Sequence, residues 1–246
     1  MHFGQTVSVV FPAYDEEEGI AEAVTTFLAI EPVDEVVVVD NNSKDRTAEL
    51  AAEAGARVVR EERQGYGNAL RRGLAEAKGD LIVMAEPDGT FRADDVYKLL
   101  AYAADAELVL GTRTTRELIW EQANMGVALR WGNWFAAKLL EVLFDTPAIT
   151  DVGCTMRLIH KPALERFRER LTVGSSHFLP EMVILARLTG TSMLEIPVNY
   201  RSRLGTSKIT GSLHTTFTVG ANMIFLILRY RARTRELPAP PPRATT

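Results

Sequence analysis

Short apolar runs alternate with helical stretches through the first half of the chain, and that alternation restricts the fold more than any single motif. Val7 to Phe11 is a β-branched run stopped by Pro12. Val36 to Val39 is an unbroken run of valine, the pattern of a strand buried on both faces. Arg57–Val59, Asp80–Met84 and Leu108–Leu110 continue the series. Between them Glu16–Ile30, Asp45–Ala54, Gly67–Ala77 and Asp94–Ala104 read as helices, with Gly55 and Gly79 as stop signals. This rhythm predicts an α/β fold: a mostly parallel, doubly wound sheet flanked by helices. In such sheets ligands bind outside the carboxyl ends of the strands.

The second half is less regular. Asn124–Phe144 reads as one long helix, Met156–Ile159 as a strand, and Pro162–Leu171 and Pro180–Leu188 as helices. Leu194–Tyr200 reads as an edge strand because Pro197 cannot donate to a ladder. Gly205–Gly211 reads as a loop and His214–Arg235 as a C-terminal helix. Residues 237–246 form a Pro-rich tail expected to be disordered or extended. No internal repeat or second domain boundary is visible, so one domain is expected over residues 1–236. A net charge of -4 argues against nucleic acid as a partner. The single cysteine, Cys154, excludes an internal disulfide and fits a reducing cytosol. No basic n-region precedes an apolar stretch at the N-terminus, so no signal peptide is expected. The run Phe217–Leu228 contains Gly220 and Asn222 and is too short to span a bilayer.

Chemistry collects at the predicted strand ends. Glu86-Pro87-Asp88-Gly89 closes the Asp80–Met84 run with two carboxylates at i and i+2. Pro87 ends the ladder and Gly89 permits a tight turn. Two such carboxylates suit a divalent cation carrying a phosphorylated ligand, or they cap a helix and face water. Pro12-Ala13-Tyr14-Asp15-Glu16 follows the first run, and Asp40-Asn41-Asn42-Ser43 the second. Each reads either as a nucleoside holder or as a helix-capping turn. Arg63-Gln64-Gly65-Tyr66-Gly67 is only loosely a phosphate loop, and its glycines serve equally for a turn. Arg113 after Leu108–Leu110 is a bidentate phosphate candidate or a surface arginine. Asp151 either faces an acceptor or holds its own loop. Cys154 reads as a small buried residue, since no histidine stands nearby. Glu181 is either a first-turn dipole partner or an acceptor-side carboxylate. Arg201, Arg203 and Lys208 form a basic loop that could close over a diphosphate, or simply face solvent.

Taken in order, these segments resemble the family 2 glycosyltransferases of GT-A fold, and most of all those that use polyprenyl phosphates, the dolichol-phosphate mannose synthase type. The resemblance runs over about residues 7–209, through Phe11–Glu16, Val39–Ser43, Gly65–Ala69, Glu86-x-Asp88, Gly111–Arg113, Asp151–Thr155 and Arg203-x-Gly205-x-Ser207-Lys208. It implies a nucleotide-binding half over about 1–115 and an acceptor half over 116–236. It also implies an inverting transfer from a GDP- or UDP-sugar to an acceptor, with Mg2+ or Mn2+ as cofactor. Pro12, Ala13, Tyr14, Glu16, Asp40, Asn42 and Gly65 would hold the donor, together with Pro87. Asp88 and Glu86 would bind the metal, Arg113, Arg201, Arg203 and Lys208 the phosphates, and Asp151 and Glu181 the acceptor side. Glu86 departs from the family's usual first aspartate, and Asp15 stands where asparagine is common. The transmembrane helices of some relatives are missing. The acceptor is expected to be a lipid phosphate, with a soluble natural-product or polysaccharide acceptor as the alternative. A cytoplasmic protein with peripheral contact to the inner membrane face is expected, because the C-terminal helix couples apolar residues to Arg229, Arg231, Arg233 and Arg235. The same helix could instead pack internally or in a homodimer. Two other classes stay open: a sugar-phosphate nucleotidylyltransferase, against which the absence of a Gly-rich N-terminal loop counts, and a non-catalytic sugar-nucleotide-binding protein.

Overall fold

The computed structural model describes residues 1–119, 127–203, 213–234 and 236. Strands β1 (Val7–Ala13), β2 (Glu35–Asp40), β3 (Arg57–Arg60), β4 (Leu81–Met84), β5 (Leu108–Thr112), β6 (Arg157–His160) and β7 (Met193–Pro197) form one sheet in the order β3-β2-β1-β4-β6-β5-β7. The pairs β1–β2, β1–β4, β2–β3 and β5–β7 are parallel, while β6 runs antiparallel to both β4 and β5. The edge position expected for the Pro197 strand is the one β7 occupies.

Helices α1 (Ile20–Leu28), α2 (Thr47–Glu53) and α4 (Asp95–Ala101) cover one face. The other face is covered by α3 (Tyr66–Glu76), α5 (Val127–Phe144), α7 (Phe178–Leu188) and α8 (Leu213–Arg233), with the short α6 (Lys161–Glu165) beside β6. Successive valines of β2 therefore enter opposite cores: Val37 and Val39 pack with Leu70 and Leu74, Val36 and Val38 with Ile20 and Val24. That double burial is why the run is uniformly apolar. Gly73 lets α3 lie directly on the sheet; a Cβ there would sit 2.3 Å from Val10 Cγ1.

Several boundaries differ from the sequence expectation. The first helix begins at Ile20 rather than Glu16, because the acidic stretch before it stitches two strand-end loops together. The amides of Asp15, Glu16 and Glu17 donate to Ser43, Thr47 and Asp45 side chains, and the Lys44 and Arg46 amides donate back to Asp15 and Glu17. Pro162–Leu171 is not one helix but α6 followed by a 3-10 turn at Arg168–Arg170. The long helix expected from Asn124 is described from Val127 onward. The expected 205–211 loop and the Pro-rich tail lie outside the described residues.

Candidate active site at the carboxyl edge

The carboxyl ends of β1, β2 and β4 meet the start of α3 and the segment after β7 around one hollow. Pro12, Ala13, Tyr14 and Glu16 line it from β1, and Glu86, Pro87 and Asp88 from β4. Asn41, Gln64, Tyr66 and Arg203 complete a cavity of about 280 Å³. Glu86 also borders a larger hollow of about 1000 Å³, whose wall includes Phe27, Phe91, Glu117, Ile119 and Arg201.

Asp88 is 1% exposed. Gly89 turns the chain at φ +76°, and the Thr90 amide donates back to Asp88 Oδ1 at 3.0 Å, joined by the Thr90 hydroxyl. The second oxygen, Oδ2, accepts from Arg203 Nη1 at 2.7 Å, and Arg203 Nη2 donates to Glu16. Glu86 Oε1 accepts from Thr155 Oγ1 at 2.6 Å and Tyr66 OH at 3.1 Å. Burial first, and the Asp88 charge second, push the Glu86 carboxyl up to about 7. Burial and the nearby Glu86 charge hold Tyr66 well above the ordinary phenol range, so its hydroxyl stays a donor. Burial opposes the charge on Arg203, but Asp88 and Glu16 outweigh it and raise its pKa further.

The β2 loop is built from both asparagines. Asn41 donates to the carbonyls of Glu61 and Arg63 and accepts from the Gly65 amide at 2.7 Å. Asn42 adopts φ +63°, and its amide donates to Glu62 O in an exposed position. Asp40 is buried and accepts the Ser43 amide at 3.1 Å. Asn41, Gln64 and Tyr66 thus line the cavity and Thr155 holds Glu86, although the sequence offered them only inside motifs and gave none of them a role of its own. Neighbouring asparagines look alike in a sequence; the left-handed backbone at Asn42 decides which one faces inward.

Several candidates have other uses. Gly65 and Gly67 let residues 173–175 cross the start of α3, where a Cβ at either glycine would fall 2.2 and 2.4 Å from a backbone oxygen. Asp151 and Arg113, expected on the acceptor and the phosphate, bind each other. Arg113 donates from Nε at 2.7 Å and Nη2 at 3.0 Å, and its guanidinium also lies 5.2 Å from the Tyr200 ring centre. Burial opposes charge on both, yet their mutual attraction holds Asp151 below the usual carboxylate range and Arg113 well above its own. Glu181 is fully buried and accepts from the Thr172 amide and hydroxyl, the Val173 amide and Tyr230 OH. It ties α7 to α8, and it is not among the residues that line the cavity. Cys154 is buried, which raises its thiol to about 12 and rules out a reactive thiolate. Arg201 borders the larger hollow and donates its amide to Thr90 O. Lys208 lies outside the described residues.

A sheet of this order, with its hollow at the carboxyl edge, is the GT-A fold. Glucosyl-3-phosphoglycerate synthase of Mycobacterium tuberculosis, solved with Mn2+, UDP-glucose and phosphoglyceric acid, superposes with a TM-score of 0.70 over 95% of this chain and 82% of its own, at 21% identity. The model of glycosyl transferase family 2 matches residues 8–168, and the chain belongs to that family and is a glycosyltransferase. The low-salt glycan biosynthesis hexosyltransferase Agl6 of Haloferax volcanii is 31% identical over 83% of this chain, which spans only 50% of Agl6. The human dolichyl-phosphate beta-glucosyltransferase is 28% identical over 91% of this chain and 75% of its own.

Proposed function

We propose that the protein transfers a hexose from a nucleoside-diphosphate sugar to a polyprenyl phosphate, with inversion at the anomeric carbon. The observation that carries this reading is the convergence of Glu16, Glu86, Asp88 and Arg203 on one edge cavity beside Pro12–Tyr14. Among the described residues no three carboxylate, imidazole or thiolate side chains form a ready-made metal cage; Asp88, with Glu86 nearby, offers the oxygen donors that a hard divalent ion such as Mg2+ or Mn2+ takes, the remaining ligands being left to a diphosphate and water. Arg203 adds a buried Nε–H that has no acceptor among the described residues, as expected beside an anionic ligand.

In this reading Pro12, Ala13, Tyr14 and Asn41 line the nucleoside subsite, with Asp40 behind them. Asp88 would hold the divalent ion, whose chemistry there would be to neutralise charge on the departing diphosphate. An acceptor phosphate oxygen attacks C1, the C1–O bond to the nucleoside diphosphate breaks, and the diphosphate leaves with the bonding pair. A phosphate is already anionic, so no general base is needed. The commitment of Asp151 and Glu181 to Arg113 and Tyr230 agrees with that economy.

A second observation favours a lipid acceptor over a soluble one. Trp131 and Phe135 of α5 are 60% and 53% exposed, and Phe225 of α8 is 67% exposed. Among the described residues no helix is long and apolar enough to cross a membrane. The described side chains of α5 and α8 include Lys138, Arg229, Arg231 and Arg233 against the single acid Glu141. An aromatic and cationic surface of this kind suits an anionic bilayer. The test is transfer of radiolabelled hexose from GDP- and UDP-sugars to polyprenyl phosphate in detergent with Mn2+. Asp88→Asn is expected to lose about 100-fold or more in turnover while folding normally; turnover near wild type in that variant sinks the assignment.

A further inference from the structure

Both oxygens of Asp88 are engaged, and by different kinds of partner. Oδ1 is fixed inside the turn by Thr90. Oδ2 is covered by the Arg203 guanidinium, which also grips Glu16, and all three residues line the cavity. Arg203 therefore stands on the oxygen that a divalent ion would need first. A guanidinium and a divalent cation on one carboxylate oxygen repel strongly in a half-buried site. The contact is also incompletely matched, because Nε of Arg203 stays buried without an acceptor among the described residues.

We propose that Arg203 is an exchangeable cation of the donor site: it and the divalent ion compete for Oδ2 of Asp88, and the exchange hands the guanidinium fork to the donor's diphosphate. This rests on the donor-site reading above. Ion binding without a diphosphate must dislodge Arg203 from two carboxylates with no anion to receive it. Ion binding with a diphosphate gives the same guanidinium a new bidentate partner. Ion and nucleotide therefore bind with positive coupling, and that coupling resides in Arg203. Arg203 is through this arrangement the gate on the order of assembly, since it covers the Asp88 carboxylate until a nucleotide can accept its guanidinium.

The test is Mn2+ binding, read from the free-ion electron paramagnetic resonance signal, with and without GDP or UDP. Wild type is expected to bind Mn2+ about tenfold or more tightly with the matching nucleotide than without. Arg203→Gln is expected to bind Mn2+ alone about tenfold more tightly than wild type and to lose most of the gain from nucleotide. The gain in Arg203→Gln should disappear when Asp88→Asn is added. Arg203→Lys keeps a cation but not the fork, and should fall between the two; it carries the comparison if Arg203→Gln does not fold. Unchanged or weaker Mn2+ binding by Arg203→Gln, with nucleotide-assisted binding intact in wild type, overturns the exchange and leaves the donor site standing. A gain that survives Asp88→Asn also overturns it. Failure of wild type and every variant to bind Mn2+ with either nucleotide overturns the donor-site reading and the exchange together.

Discussion

Replacing Glu86 by glutamine should stabilise the protein, and by an amount that depends on pH. The folded protein raises this carboxyl from 4.5 to about 7, through burial and the Asp88 charge. A raised carboxyl pKa means that the fold favours the protonated form. Stability from that preference is fully present below the unfolded pKa, near 4.5, and is lost as pH rises through about 7. The shift corresponds to about 3 kcal/mol between the two limits. Glutamine has no charge to bury, and its carbonyl can still accept from Thr155 and Tyr66. The expected result is a variant close to wild type at pH 4.5 and more stable by about 2–3 kcal/mol at pH 8.5. Urea unfolding at both pH values, in EDTA and without nucleotide, measures it. A stability difference that stays constant across the range refutes the reasoning, because only an ionisable Glu86 held out of water produces the slope.

Asp151→Ala should cost about 3–5 kcal/mol by leaving Arg113 buried and unpaired, whereas adding Arg113→Met should restore most of the loss; a single variant within about 1 kcal/mol of wild type in urea unfolding contradicts the structural role given to the pair. Replacing Trp131, Phe135 and Phe225 together by serine should abolish co-flotation with vesicles containing anionic lipid and leave hydrolysis of a nucleotide-sugar donor intact; flotation as strong as wild type removes the case for a membrane-facing α5–α8 surface.

The sheet was legible because β1, β2 and β4 are buried on both faces and so carry unbroken apolar runs. The strand β6 was visible in the run from Met156 to Ile159, but its direction and its place between β4 and β5 were not. Its first residue, Arg157, is a fully buried arginine whose guanidinium donates to the carbonyls of Cys154, Val152 and Leu179. No periodicity announces that a strand beginning on a buried charge runs antiparallel in a parallel setting. At the site, Glu16, Glu86 and Asp88 were legible from their positions beside strand ends. The Arg113–Asp151 pair was not, since the partners lie 38 positions apart and each alone looks like a ligand contact. Nor was the bonding of Glu181: an acidic first-turn residue does not announce that the Tyr230 hydroxyl and the 172–173 backbone donate to it.

The placement of β6 between β4 and β5 has a consequence for how the chain reaches this fold. Among the described residues β5 pairs with β6 and β7, both of which come later in the chain. During synthesis the strands β1 to β4 can assemble as they emerge, but Leu108–Thr112 has no partner until Arg157–His160 follows. A fragment ending after residue 115 would therefore present β5 as a loose apolar strand, prone to self-association. Closure of the sheet waits for β6 and β7, which the chain supplies only from residue 157 onward.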